Sequence, residues 1–471
     1  MSDILQSRQE KLELLKKNGI DPFGGRLEIT AHIKDLIADF KEGTSCTIAG
    51  RIMAKRKHGK SIFCDLRDED EKIQLYLKTD IVGKDKFDLV ESALDIGDII
   101  GIKGELFKTK TGEPTVKVED YTVLSKALKP LPEKWHGLKD IETRYRQRYL
   151  DLIANHETRK IFKIRSKIIK SIRAILDKKG YLEVETPMMQ PIPGGASGKP
   201  FKTHHEALDM DLYLRIAPEL YLKKLLVGGY EKVYEINKSF RNEGISTRHN
   251  PEFTMLEVYT AYGDMRSTMD LTRELINETA KQVLGNEKFE YQGNTIDLSK
   301  WEVVSFAGIM KEAYDINAGD DEKVWVQKLK NKGIEIEGGA VGRTQVANII
   351  ADLLTPKSNH PVFVIDIFTV LCPLAKVKKD NPLLTDRFEL FIGGLEVANA
   401  YSELNDPIEQ RRRFEEQREG DLDEDFLRAL EHAMPPAGGL GIGIDRLVML
   451  LTDSPSIREV ILFPQLRKES S

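Results

Sequence analysis

Between residues 46 and 124 apolar and polar residues alternate in short runs set apart by glycine-bearing turns: CTIAGRIMA, KSIFCDLRD, EKIQLYLK, DIIGIKGEL and PTVKVEDYTVL. A period of two is that of a strand with one buried face, and five such strands suit a small Greek-key barrel. Ile62, Cys64 and Leu66, with Ile73, Leu75 and Leu77, take the inward positions, which leaves Phe63, Gln74 and Tyr76 outside. Ahead of the barrel Leu5, Leu12 and Leu15 recur at roughly helical intervals, and residues 1–40 read as helical. Behind it Pro130 and Pro132 stop the strands, and residues 131–152 read as a linker in which a basic-aromatic run from Arg144 begins the next helix. Residues 157–179 carry Ile161, Ile164, Ile168 and Ile172 on one helical stripe, and GYLEVETP follows as a strand ending at Pro187. Residues 231–264 read as two strands joined by a loop, and 265–360 as mostly helical. Near the end, GLGIGID is a glycine-bearing strand that lets a ligand approach closely. Asp445 is placed to cap the helix after it, on which Leu447, Leu450 and Leu451 pack. The fold class is α+β. Three segments are predicted: 1–130 as helix and barrel, 131–152 as linker, 153–471 as the larger domain.

Composition narrows the picture without changing it. A chain of 471 residues calls for two or three domains, and 40% hydrophobic with 31% charged residues suits sizeable cores. No run approaches the ~18 apolar residues of a membrane span, and the N-terminus lacks a secretory apolar region. Cys46, Cys64 and Cys372 lie far apart, with no metal-ligand spacing and no disulfide framework, which points to a reducing cytoplasm. A net charge of −5 places any RNA contact on local patches, of which RIMAKRKHGK is the clearest.

The chemistry concentrates in EKVYEINKSFRNEGISTRHNPEFTMLEVYTAYGD, residues 231–264. Ser239, Arg241 and Glu243 share one face of the first strand, and Phe253, Met255, Glu257 and Tyr259 one face of the second. Arg248 and His249 sit in the loop. Charge gathered beside aromatics is what holding an anionic, planar, multiply charged ligand requires. FRNE followed by RHNPEFT resembles motif 2 of the class II aminoacyl-tRNA synthetases. With the rest of the chain it is similar to the bacterial-type lysyl-tRNA synthetases of that class.

That resemblance implies an N-terminal OB-fold anticodon-binding domain, a catalytic antiparallel sheet flanked by helices, and a helical insertion at about 265–360. It implies ATP-dependent activation of L-lysine, then transfer to the 3′ end of tRNA(Lys). Carboxylate attack on the α-phosphorus needs no general base, so positioning and electrostatic stabilisation carry the reaction. In the family Arg241 bridges the substrate carboxylate and the α-phosphate, and Phe253 stacks on adenine. Glu243, His249 and Asn250 match positions that hold adenine and triphosphate. Gly443 and Arg446, in PPAGGLGIGIDRLVML, resemble motif 3, with Arg446 in the first turn of a helix where the dipole favours phosphate. Glu389 and Glu396, either side of a Gly-Gly break, match the glutamates that bind Mg²⁺, a hard cation suited to oxygen ligands.

For the amino acid, Glu219 matches the family's partner of the α-amino group, with Gly195 offering backbone. Glu257 and Glu403 match the partners of the ε-ammonium, and Tyr259 and Asn399 complete the pocket. Two carboxylates from separate segments are expected to meet only around a cation. Relatives that charge aspartate or asparagine share the barrel, but aspartate would need a cation where this chain has acids. A non-catalytic RNA-binding paralogue would have decayed at Arg241, Phe253, Glu389, Glu396 or Arg446, and all five are present. In the barrel, Phe63, Gln74 and Arg51 match anticodon-gripping positions, and Glu113 matches another. The long helix, strand and proline ending at Pro187 resemble motif 1, which implies a homodimer. The chain departs from the family at DIFTVLCPLAK, where a Pro–x–Glu–x–Ser–Pro pattern is usual.

Overall fold

The computed structural model describes residues 2–132, 138, 140–196, 198–334, 343–353, 356, 358–417 and 422–468. Backbone contacts divide the chain into two units, Met1–Lys139 and Asp140–Ser471.

In the first unit five strands, Ser45–His58 (β1), Ser61–Arg67 (β2), Lys72–Lys78 (β3), Ile99–Lys108 (β4) and Pro114–Ser125 (β5), close a barrel in the order β1-β2-β3-β5-β4. All pairs are antiparallel except β3 with β5. The inward set is the one the alternation predicts: Ile62, Cys64, Leu66, Ile73, Leu75 and Leu77 are buried. The crossover from β3 to β4 carries the helices Thr79–Val82 and Lys84–Ala93, and the longer one sends Phe87 and Val90 into the same core. The N-terminal expectation needs correction, since residues 1–40 are not one helix. A first helix, Ser2–Lys17, stops at Asn18-Gly19, where Gly19 adopts φ 72°, and a second runs only from Ile33 to Ala38. Gly19 N–H donates to Lys16 O at 2.9 Å and Ile20 N–H to Leu15 O at 3.1 Å, which together make a Schellman stop.

The second unit starts earlier than the expected end of the linker. Residues 141–154 form two short helices, Ile141–Arg146 and Arg148–Ala154, in which Arg148 and Asp151 are buried as an ion pair at 2.6 Å. Residues 133–137 and 139 of that linker lie outside the described residues. The strands of this unit are Leu182–Glu183 (β6), Met189–Gln190 (β7), Phe201–His205 (β8), Met210–Leu214 (β9), Lys232–Phe240 (β10), Glu252–Ala261 (β11), Lys288–Tyr291 (β12), Asn294–Asp297 (β13), Glu302–Ser305 (β14), Val362–Ile365 (β15), Arg387–Ile392 (β16), Leu395–Ser402 (β17) and Ala437–Gly443 (β18). Eight of them form one sheet in the order β14-β15-β16-β17-β18-β11-β10-β6. It is antiparallel through its middle and parallel at both edges. The stretch read as mostly helical, 265–360, holds four helices and also β12, β13 and β14. Its residues 335–342 and 354, 355 and 357 lie outside the described residues.

The sheet's alternation sorts its two faces by chemistry. Leu256, Val258, Leu440, Ile442, Ala398, Ala400, Phe388 and Leu390 turn to one side. There they pack with the helices His156–Lys178, Met265–Leu284 and Ile444–Leu451. Burying a large aliphatic side chain in such a core stabilises by roughly 1.5–3 kcal/mol, so this side fixes the sheet's register. The intervening residues face the other way and are free to carry chemistry. The stripe on the long helix belongs to the core side: Ile168 and Ile172 are fully buried, and Ile161 and Ile164 pack against the same cluster. Ile168 and Ile172 are therefore spent within the subunit, and Ile161 and Ile164 stay partly exposed at its border. The strand expected to end at Pro187 is only two residues of pairing, β6 against Val233 and Tyr234.

Candidate active site

The chemical face is built around the glycines of β18. Gly439, Gly441 and Gly443 alternate along the strand, so all three point to the face away from the helices. Across the ladder, Glu257 stands opposite Gly441 and Gly441 opposite Asn399, which is opposite Glu389. One row further along come Tyr259, Gly439, Tyr401 and Arg387. A strand without side chains between two that carry long polar ones is a trench. Its floor at Gly439 is obligatory, because a Cβ there would lie 1.8 Å from Glu403 Oε1 and 2.8 Å from Tyr259 Cε1. At Gly443 a Cβ would meet nothing nearer than Val397 O at 3.6 Å.

One end of the trench opens into a cavity of about 210 Å³ whose lining includes Arg241, Glu243, His249, Asn250, Phe253, Glu396, Asn399, Gly443 and Arg446. A slip in the β16–β17 ladder makes this possible. Leu390 pairs with Ala398 but Phe391 with Glu396, so Val397 is an extra residue, and Glu396 and Asn399, three apart, reach the same cavity. The Arg241 guanidinium lies over the Phe253 ring at 5.1 Å, and its Nε is buried without a hydrogen-bond partner. Burial lowers the Arg241 pKa, opposed by Glu243, Glu396 and Glu257, so its charge is kept by carboxylates around it. Arg446 Nη1 donates to Glu396 O at 2.7 Å and to Glu396 Oε2 at 3.2 Å, and Nη2 reaches His249 Nε2 at 3.3 Å. An arginine can only donate, so His249 Nε2 accepts and the ring proton sits on Nδ1, facing Ser246 Oγ at 3.0 Å. Burial, then Arg446, lower the His249 pKa, which keeps the ring neutral.

The other end closes over a cluster of buried acids. Glu219 and Lys223 are one turn apart on the helix Glu219–Val227, and Lys223 Nζ donates to Glu219 Oε1 at 2.6 Å. The same ammonium lies 2.5 Å from Glu403 Oε2, in contact as an ion pair. Glu403 Oε1 is buried with no partner, against the bare backbone of Gly439. Tyr401 OH donates to Glu219 Oε2 at 2.6 Å, and Tyr259 OH to Glu257 Oε2 at 3.2 Å. Burial, then the Glu219 charge, push Glu257 up to about 8, and burial pushes Glu403 well above the carboxylate range. Glu235, opposite Glu257 on β10, is neutralised separately by Arg215 at 2.6 Å. Gly195 lies against this cluster with φ 86°, and a Cβ on it would come 3.0 Å from Glu219 Cβ. A cation is expected between Glu257 and Glu403; the chain supplies one of its own in Lys223, which joins Glu403 to Glu219.

Residues 140–467 match the family described as tRNA synthetases class II (D, K and N), and residues 46–124 match the OB-fold nucleic acid binding domain. Along 481 aligned residues the chain is 53% identical to the lysine–tRNA ligase of Carboxydothermus hydrogenoformans, covering 99% of this chain and 98% of that one. It is 52% identical to the lysine–tRNA ligase of Pelotomaculum thermopropionicum (99% and 95% covered). It is 49% identical to that of Bacillus subtilis (99% and 98% covered). The chain belongs to the class II tRNA synthetases, in the lysine–tRNA ligase family.

Most residues singled out in the synthetase's sequence come together in this trench, with some shifts of role. Both ends of the Asn250 amide are engaged by backbone, Nδ2 donating to Glu252 O at 2.6 Å and Oδ1 accepting from Gln465 N at 3.2 Å, so it braces the loop it lines. Asp445 does not cap its helix. Its Oδ2 accepts from Thr254 N at 2.7 Å and its Oδ1 from Arg165 Nη1 at 2.6 Å, tying β11 to the long helix, while Arg446 does sit in the first turn. Glu389, also on the chemical face, accepts from Arg387 Nη2 at 2.8 Å but does not line the cavity. Among the described residues no group of three or more His, Cys, Asp or Glu side chains is placed to hold a metal. Two carboxylates with room for phosphate oxygens and water still fit Mg²⁺, which seldom takes an all-protein cage. Lys223, Arg215 and Gly439 escaped the sequence reading. The i, i+4 spacing of Glu219 and Lys223 was the available signal for the first.

In the synthetase's barrel, Phe63, Gln74 and Glu113 line a shallow cavity with Arg56, His58, Thr109, Lys110 and Thr111. Phe63 stacks obliquely on Tyr76 at 5.1 Å, and Gln74 Nε2 donates to Glu113 Oε2 at 3.1 Å. Arg51 does not join them; its Nη1 donates to Gly97 O at 2.7 Å. The basic residues present there are Arg56, His58 and Lys110.

Proposed function

We propose that this synthetase uses ATP to convert L-lysine to lysyl-adenylate and then transfers the lysyl group to the 3′ end of tRNA(Lys). The observation that carries the reading is a dry cluster of three glutamates with one internal ammonium, joined through a glycine-floored trench to an arginine-lined cavity. Lysine lies along the trench with its ε-ammonium at Glu257 and Glu403, its α-ammonium at Glu219 and the Gly195 backbone, and its carboxylate toward Arg241. Tyr259 and Asn399 wall the channel. ATP takes the cavity, with adenine at the Phe253 ring and the triphosphate bent toward His249, Glu243 and Arg446. Arg241 offers a planar, two-pronged donor to both the attacking carboxylate and the α-phosphate, which brings two anions together. Mg²⁺ held by Glu389 and Glu396 would neutralise phosphate oxygens and ease pyrophosphate departure.

Amino-acid-dependent ATP–pyrophosphate exchange tests the reading. Lysine should support it and aspartate and asparagine should not; exchange with aspartate alone would refute it.

The barrel cavity is proposed to take anticodon bases, with Phe63 as the stacking platform beside Gln74 and Glu113. Phe63→Ala is expected to weaken tRNA binding by about 1–3 kcal/mol and leave lysine activation without tRNA unchanged. Equal damage to both steps in a filter-binding and exchange comparison would make Phe63 structural. A cytoplasmic homodimer is proposed as the working form. Leu182, Met188 and Met189, on either side of Pro187, are 47%, 48% and 53% exposed, an apolar group that a twofold partner would cover. Sedimentation at micromolar concentration should give twice the chain mass, and Met189→Glu should shift it toward monomer. Among the described residues no helix is long and apolar enough to cross a membrane.

A further inference from the structure

The substrate leaves Lys223, at the centre of the acid cluster, unexplained. It is fully buried, its ammonium bridges Glu219 and Glu403, and it lies 5.6 Å from the Tyr401 ring. A buried ammonium is disfavoured by loss of water, and a buried carboxylate equally so; the two are tolerated only as partners. Here burial works to lower the Lys223 pKa, and the Glu219 and Glu403 charges outweigh it and raise it. The groups facing it are Glu219 from its own helix, and Tyr401 and Glu403 from β17 and the residue after it; Glu257 and Tyr259 from β11 border the cluster through Glu219 and Glu403. Glu235 on β10 is already matched by Arg215. When all are ionised, three carboxylates against one ammonium leave two negative charges. Free lysine brings two ammonium groups, one to each.

We propose that Lys223 is a positioning residue that sets amino-acid specificity: it is the permanent internal cation that joins Glu219 to Glu403 in the empty pocket, stands in the place of one proton there, and leaves a charge deficit matched to a diamino acid. The inference rests on the lysine reading above and deepens it. Lys223 need not touch the substrate. It occupies Glu403 Oε2 and leaves Oε1, the orphaned oxygen, for the incoming ε-ammonium. Without it, the buried acids would share a closed site with no cation, and the cluster would take up one proton more. Lysine could then bind only by driving that proton off.

The test is Lys223→Met in the full-length protein, with two readouts. Calorimetric titration of lysine in buffers of different ionisation enthalpy counts protons released. At pH ~7 the variant should release about one more than wild type. In pyrophosphate exchange its lysine KM should rise about tenfold or more at that pH and recover as pH is raised toward ~8.5, with the ATP KM unmoved. A wild-type proton count, or a KM raised equally at every pH, would overturn the proposal and leave Lys223 as packing. If that variant does not fold, Lys223→Gln, which keeps a polar contact to the two carboxylates without the charge, is read in the same way. It should release the same extra proton; a wild-type count in it also overturns the charge role. Wild-type protein that showed no lysine-dependent exchange would instead refute the lysine reading itself.

Discussion

Glu403→Gln is expected to lower lysine-dependent pyrophosphate exchange by about two orders of magnitude or more, since losing one partner of a buried charged pair costs roughly 2–5 kcal/mol. The substitution preserves shape and removes one charge. Two contacts suffer together: Lys223 keeps only Glu219, and the orphaned Oε1 no longer offers a carboxylate to the ε-ammonium. A neutral amide also presents donors to an ammonium in one of its two orientations, which repels it. The ATP cavity does not include Glu403, so ATP binding should persist. Glu396→Gln should do the reverse, impairing ATP-dependent chemistry through Arg446 and the proposed metal while lysine binding persists. Unchanged lysine KM and exchange rate in Glu403→Gln would show that the specificity pocket lies elsewhere.

Gly439→Ala is expected to be as damaging with a single methyl group. Its Cβ would stand 1.8 Å from Glu403 Oε1, far inside contact distance, and 2.8 Å from the Tyr259 ring. The strand cannot retreat, because Gly439 is paired on both sides, with Tyr259 and with Tyr401. The carboxylate must therefore swing away and strain or break its contact with Lys223. Overpacking typically costs about 1–3 kcal/mol, and disrupting a buried ion pair about 3–5 kcal/mol more. Lysine activation should fall by at least about a hundredfold, with a lowered melting temperature. Gly443→Ala is the comparison. The protein itself leaves room for that methyl, so stability should hold and any loss should appear in the ATP KM. A Gly439→Ala variant with wild-type lysine kinetics would mean the trench floor is looser than its geometry requires.

The departure at 366–373 also acquires a physical account. Where an acid is usual, Val370 stands among the hydrophobic residues packed around Phe306, Trp325 and Phe368, whose rings meet at 5.0 and 5.7 Å. Arg387 donates to Cys372 Sγ at 2.9 Å and to Glu389 Oε1 at 2.8 Å.

Periodicity along the chain was enough for the barrel strands and for the central hairpin. The two-residue alternation of SIFCDL and KIQLYLK sorts inside from outside because a strand's side chains must alternate, and GLGIGID announces a bare strand face for the same reason. Motif spacing within RNEGxxxRHxPEF tied Arg241, His249 and Phe253 together because they lie on one hairpin, where chain distance and spatial distance nearly coincide. Composition alone could not say that Ile168 and Ile172 of the long helix would be consumed by their own subunit's core while Ile161 and Ile164 stay at its border. An apolar face looks the same whichever surface covers it. Nor could spacing tell that Asp445 would brace β11, that Arg51 would turn to the Gly97 carbonyl, or that Val397 would slip the ladder and aim Glu396 into the cavity. The acid pocket shows the division most clearly. Glu219 and Lys223 are visibly one turn apart in sequence, but Glu403 reaches them from 180 residues away. Whether that lysine points to solvent or into a dry pair of carboxylates depends on the register of β11, β18 and β17. Register is decided by the hydrophobic face the sheet buries on its other side, and so by tertiary packing alone.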